Sequence, residues 1–204
     1  MVPPATPSRR ALLIGIAAGL AGCSGTESST NEYPPDGSLV TDYTVEIARS
    51  STDAPPITQA PTDDDGDADD ASTPDPVSNR VLESESDAAE LVFDDDAMNA
   101  AAARRLVAET NYASESVFVY QRPVGECYRL KVNYVTRADD GDPNVQLCRV
   151  IRDAGIDCER DAYDHEAVAV RLPFPADEYN GFSVGGGGSC DPAPQQSRNG
   201  SDSA

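Results

Sequence analysis

The chain has 204 residues, 36 of them acidic against 15 basic, for a formal net charge of −21. The acidic residues run along the whole length and Lys131 is the single lysine. A phosphate-binding face needs clustered Lys and Arg, so nucleic acid is excluded as a partner class.

Residues 8–25 read SRRALLIGIAAGLAGCSG. Arg9 and Arg10 form a charged region before an uncharged apolar run over residues 11–22. A bilayer-spanning helix needs about 20 apolar residues, so the run is too short for a transmembrane anchor and fits a secretory signal peptide over residues 1–22. A polar residue and two arginines ahead of an apolar run resemble the twin-arginine export signal, a receptor-read address for folded chains. Leu20, Ala21, Gly22 and Cys23 resemble the lipobox of exported lipoproteins. The small residues admit a peptidase to the backbone, and the Cys23 thiol takes the lipid. Two acyl chains suffice for stable anchoring. The expected location is therefore the extracellular face of the cell membrane.

A charge of this size destabilises a compact state by self-repulsion. At molar salt the Debye length falls to about 3 Å and the repulsion is screened. Dispersed acid with almost no lysine, a twin-arginine leader and a lipobox together resemble small acidic lipoproteins of haloarchaea. The resemblance implies a cell-surface protein of a halophilic archaeon.

Residues 23–78 are rich in Ser, Thr, Pro, Asp and Gly and read as a disordered acidic tether, extended by charge and proline. Within it, residues 39–48 alternate in the manner of a strand, which either pairs with the domain or stays a local apolar island. DDDGDADD, residues 63–70, has the acidity of a calcium loop but not its pattern. From Asp63, position 6 is Ala68 rather than Gly, and position 12 is Pro74 rather than Glu.

Residues 79–190 form the predicted domain. Short strands are expected near Val81 and Leu82 and over residues 90–93. AMNAAAARRLVAET reads as a helix of two to three turns, with Asp94, Asp95 and Asp96 placed to meet the positive end of its dipole. A strand is expected over residues 116–121, ended by Pro123 and Gly125. In CYRLKVNYVTR, Tyr128, Leu130, Val132 and Tyr134 share one face and Arg129, Lys131 and Asn133 the other, which marks a half-buried antiparallel strand. ADDGDP is a turn, and NVQLCRVI and HEAVAVRLPFP are further strands. GFSV closes the sheet, Gly185–Gly188 reads as a flexible linker, and residues 191–204 as a disordered tail. The expected fold is mainly β, or α+β: a small antiparallel sandwich or roll of about five to seven strands with one short helix. The order of helix, strand, GECYRLKVNYV and AVAVRLPFP resembles the C-terminal domain of bacterial protease-complex-stabilising lipoproteins, which implies no catalytic residues. Gly125-Glu126-Cys127 departs from the family's glycine pair.

Setting aside a lipidated Cys23, four cysteines remain, an even number that suggests two disulfides outside the cell. Cys148 and Cys158 flank one loop and are the preferred pair, leaving Cys127 with Cys190. The gaps between the four contain no C-x2-C, so neither structural zinc nor a redox pair is indicated.

His165 is the only histidine, and its sequence neighbours Asp164 and Glu166 fall on the opposite strand face, so it lacks an orienting carboxylate. No G-x-S-x-G elbow occurs. Asn199-Gly200-Ser201 is a glycosylation sequon. No cofactor or metal is expected. The leading expectation is a non-enzymatic, lipid-anchored protein that binds or stabilises an envelope partner. An acidic partner would meet one β edge or the basic face of Arg129, Lys131 and Arg149. The alternatives are an accessory substrate- or ion-binding lipoprotein of a transporter or secreted enzyme and, more remotely, a hydrolase.

Overall fold

The computed structural model describes residues 37–52, 54–60, 76–187 and 190. The leader residues Arg9, Arg10, Leu20, Ala21, Gly22 and Cys23, the acidic tract 63–70 and the tail with Asn199 lie outside the described residues. In chain order the elements are β1 (Ser38–Val40), β2 (Thr44–Ser50), β3 (Ile57–Gln59), β4 (Asn79–Leu82), α1 (Glu85–Ala89), β5 (Leu91–Phe93), α2 (Ala100–Ala108), β6 (Ser116–Gly125), β7 (Tyr128–Arg137), β8 (Pro143–Ile151), β9 (Tyr163–Leu172), a 3-10 turn (Ala176–Glu178) and β10 (Ser183–Gly187).

The fold is mainly β. One sheet has the order β1-β7-β8-β10 and a second the order β2-β9-β6-β4, while β3 and β5 form a two-stranded ribbon. All pairings are antiparallel except β8–β10. The second sheet is the middle layer. Phe118, Val168, Val170 and Leu172 face Leu130, Val132, Val145 and Leu147 of the first sheet in one core cluster. The alternate residues Val117, Val119, Ala167 and Ala169 pack under α2 and the ribbon in another. β9 is thus covered on both sides, which accounts for the unbroken AVAV run.

Helix α2 buries Ala100, Ala103, Leu106 and Val107, a stripe of helical period. Its N-cap, Asn99, is left-handed at φ 65°. The Asn99 amide is held there by donating to the Glu46 carboxylate (3.0 Å) and the Ile47 carbonyl (3.1 Å) of β2. The helix begins at Ala100, so Asp94, Asp95 and Asp96 lie in the preceding turn rather than in its first turn, and Asp95 pairs with Arg104 instead.

The segment expected as a tether supplies three strands. Residues 39–48 join the fold as β1 against β7 and β2 against β9, and Ile57 of β3 is completely buried. β4 to β10 make seven strands, within the expected five to seven; β1, β2 and β3 from the tether segment add to them, and α1 adds a second helix. The β7–β8 hairpin turns through Gly141, whose φ of 95° favours glycine and where a Cβ would come within 2.8 Å of the Glu178 carbonyl. A bulge at Asn133, between Val132 and Tyr134, shifts the alternation by one. Val135, not Tyr134, therefore joins Leu130 and Val132 in the core between the sheets. The run expected as a linker is partly strand: Ser183–Gly187 pairs in parallel with β8.

The disulfides join Cys127 to Cys158 and Cys148 to Cys190, not Cys148 to Cys158 and Cys127 to Cys190. The loop after β8 folds back over the start of β7. The Arg152 N–H donates to the Cys127 carbonyl, and the Glu159 N–H to the Glu126 carboxylate, which delivers Cys158 to Cys127. The parallel β10 sets Gly187 opposite Cys148 and so brings Cys190 to it.

Candidate functional site

The inward parity of β9 reads Asp164, Glu166, Val168, Val170, Leu172. The apolar stripe gives way to two carboxylates at one end. Register places Arg49 of β2 and Arg122 of β6 on either side of Glu166, so one cross-strand row runs arginine, glutamate, arginine.

Arg49 is the hub, with its side chain 6 % exposed. Its Nε donates to Asp164 Oδ2 (2.5 Å), Nη1 to Glu166 Oε1 and to the Tyr128 carbonyl (2.8 Å), and Nη2 to the Glu126 carbonyl (2.9 Å). The second Glu166 oxygen accepts the Leu130 N–H at 2.6 Å. Arg152 approaches Asp164 at 3.8 Å and donates to the Glu126 carbonyl at 3.0 Å. Burial pushes the Glu166 carboxyl above its ordinary pKa, opposed by the Leu130 N–H and Arg49. The guanidinium fork thus ties β2, β9 and the start of β7 together. With its partners mutually satisfied, the cluster acts as a structural joint between the sheets.

Two depressions flank this row, and Leu130 borders both. The smaller, about 460 Å³, has Glu166, Arg49, Arg129 and Arg152 in its wall with Met98 and Ile156 at its mouth. The wider, about 840 Å³, opens between the edge strands β4 and β10. Its wall includes Tyr120, Arg122, Arg149, Tyr163, Phe182 and Gly186. Phe182 rests against Phe118 with ring centroids 4.9 Å apart, and Tyr163 is 67 % exposed.

The cleft lining holds two arginines and no carboxylate among the described residues. Arg49, Arg80, Arg104, Arg137, Arg152 and Arg171 all form ion pairs. Among the described residues Arg122 and Arg149 form none, and nor do Arg105, Arg129, Arg160 and Lys131, which lie outside this cleft. Arg122 and Arg149 are both exposed. Arg149 lies over the Tyr128 ring at 4.7 Å, and Arg122 reaches only its neighbour's carbonyl.

The expected basic face is divided. Arg149 sits opposite Leu130 and belongs to the cleft, while Arg129 and Lys131 alternate to the other side of β7. His165 faces away from Asp164 and Glu166, with Nδ1 3.4 Å from the Thr52 carbonyl. Among the described residues no three His, Cys, Asp or Glu side chains are placed to hold a metal ion, and no helix is long and apolar enough to cross a membrane. From the sequence, Asp164 and Glu166 are weighed only as partners of His165, and Arg49 and Arg122 are not singled out as site residues. The available signal was charge on the same alternation as Val45, Ile47, Val168 and Val170.

No family model matches this chain, and neither the curated proteins nor the solved structures contain a similar one.

Proposed function

We propose that this chain is a lipid-anchored, non-enzymatic surface protein of a halophilic archaeon that binds an envelope partner through the cleft between β4 and β10. The leader motifs at Arg9, Arg10 and Cys23 support the location, and the dispersed acidity supports the saline setting. Two disulfides suit an oxidising exterior. The observation that carries the binding role is the pair Arg122 and Arg149, facing one cleft without a carboxylate among the described residues, beside exposed aromatic rings. Arginine and aromatic side chains are the usual anchors of recognition surfaces.

A second reading, an accessory binder of a small substrate or ion for a transporter or secreted enzyme, draws on the cleft volume of about 840 Å³. Small-molecule sites span roughly 300–1,000 Å³.

The test is a photoreactive benzoyl-phenylalanine at position 182 on intact cells, with products identified by mass spectrometry. A discrete protein adduct that disappears in the Arg122→Glu, Arg149→Glu double variant is expected. No adduct, or one indifferent to the double variant, overturns the partner reading. A transporter subunit as the adduct selects the second one.

A further inference from the structure

The cleft is bounded by the edge strands β4 and β10, neither of which has a second strand partner among the described residues. β10 ends the order of the first sheet, so its outer backbone edge has no strand partner among the described residues. Exposed edges are normally guarded by charge, proline, a bulge or a covering element, because an unguarded edge invites another strand. β10 carries none of these within Ser183–Gly187. Its last three residues are glycines, which weaken a strand by about 0.5–1 kcal/mol each relative to alanine. The strand is held all the same, by pairing with β8 and by the Cys148–Cys190 bond just past its end. Glycine within a strand commonly marks the close approach of a ligand or another backbone. At Gly186 a Cβ would meet nothing within 4 Å, so the space beside it is open.

Side-chain parity extends the point. Phe182, Val184 and Gly186 line the cleft. A strand added beside β10 would likewise direct every second side chain toward the cleft, where Arg122, Arg149, Tyr120 and Tyr163 wait. Guanidinium groups match carboxylates in charge and in fork geometry.

We infer that β10 accepts an extended acidic peptide segment of the partner by strand addition, with alternate Asp or Glu side chains of that segment taken up by Arg122 and Arg149. The inference rests on the cleft being the binding site proposed above and names what fills it. Backbone hydrogen bonds to β10 supply register-tolerant affinity, and the two arginines supply selection for acid at every second position. Short-range paired contacts of this kind persist at molar salt, where longer-range attraction is screened.

The full chain, purified in detergent, is titrated by fluorescence anisotropy in 1 M KCl with a labelled octapeptide alternating Glu and Val. Three comparison ligands are its Gln-for-Glu analogue, the same peptide N-methylated at alternate backbone nitrogens, and a uronic acid hexasaccharide. The Glu peptide is expected to bind, with at least tenfold weaker binding for the Gln analogue, for the N-methylated peptide and for Arg149→Gln. Gly186→Leu, at a position where a Cβ meets nothing within 4 Å, projects into the cleft and should abolish binding while the circular dichroism spectrum stays unchanged. Arg129→Gln, outside the cleft, should leave binding intact. Equal binding of the Glu and Gln peptides, undiminished binding after N-methylation, or failure of the peptide while the hexasaccharide binds each overturns strand addition. An arginine-dependent adduct at position 182 on cells, together with no peptide binding, refutes this inference and leaves the proposed function standing.

Discussion

Arg49 of β2 and Asp164 of β9 are 115 residues apart in sequence and share a buried hydrogen bond of 2.5 Å. Removing one member of such a cluster leaves unpaired buried charge, at a cost of about 3–5 kcal/mol. Arg49→Met should lose stability of that order in guanidinium melts. The loss should shrink in acid. Glu166, already raised by burial, would lose the opposing pull of Arg49 and rise further. Its protonated form then favours the fold, so the variant's stability falls as pH rises from 4.5 through the raised value. Glu166 already gives the wild type a dependence of the same sign, because burial raises its pKa from 4.5. A loss below 1 kcal/mol, or no change in pH profile, would count against the joint.

The disulfides enclose sequence separations of 31 and 42 residues. Chain-entropy arguments put each at about 4 kcal/mol. Non-reducing peptide mapping should recover Cys127 linked to Cys158 and Cys148 linked to Cys190. Cys190→Ser should speed amide exchange across Ser183–Gly187 and leave β7 protected, whereas Cys158→Ser should free the loop over residues 152–162. Any other linkage refutes the strand order at the C-terminus.

Helix α1 is capped reciprocally. Ser84 Oγ accepts the Asp87 N–H, and the Asp87 carboxylate accepts the Glu83 N–H and the Ser84 hydroxyl beside Arg80. Burial alone would raise the Asp87 pKa, but these hydrogen bonds and Arg80 outweigh it and hold it below 3.8. A depressed folded pKa contributes stability above the unfolded pKa that is lost as pH falls through the folded value. Asp87→Asn should cost about 1 kcal/mol at neutral pH and flatten the loss below about pH 4. A carbon-13 titration placing the Asp87 midpoint above 4 would contradict the cap.

A net charge of −21 on one chain makes salt a folding variable. Raising KCl from about 0.1 M to 1 M shortens the Debye length from about 10 Å to about 3 Å. The melting temperature should climb steeply over that interval. A melting temperature indifferent to salt would remove the halophilic element of the proposal.

The proposed anchor is the Cys23 thiol. Cys23→Ser should move the chain from the membrane pellet to the soluble fraction after detergent-free lysis. Membrane retention equal to that of the wild type would eliminate lipidation as the means of attachment.

Much of the domain could be read from the sequence because β6 to β9 carry regular alternation punctuated by turn residues, and α2 an apolar stripe of helical spacing. The failures share one physical cause. Where a strand is stabilised by distant partners, its own residues need little signal. Ile57 sits between prolines and polar residues, yet β5 and the Gln121 side chain, bonded to the Ile57 N–H and carbonyl, bury it completely. β10 is mostly glycine and becomes a strand because β8 and a disulfide hold it. Nearness in sequence favours Cys148 with Cys158, but the parallel strand that carries Cys190 to Cys148 leaves no signal in the spacing. The cleft is half legible: Arg149 stands out as a base on a strand, but only its place opposite Leu130 separates it from Arg129 and Lys131.

The order β1-β7-β8-β10 also has a mechanical meaning. The chain enters the described fold at Gly37, beside β1, and the cleft opens at β10, the far edge of the same sheet. If Cys23 is the anchor and the cleft holds a partner, as proposed, tension between the two would load this sheet across its strands. Hydrogen-bonded strands part most easily in that direction, because the bonds break one at a time. Three of the five residues that β10 brings to the last seam are glycines, and Cys148–Cys190 spans it with a covalent rivet. A reduced molecule would therefore grip its partner in still solution and let go under load.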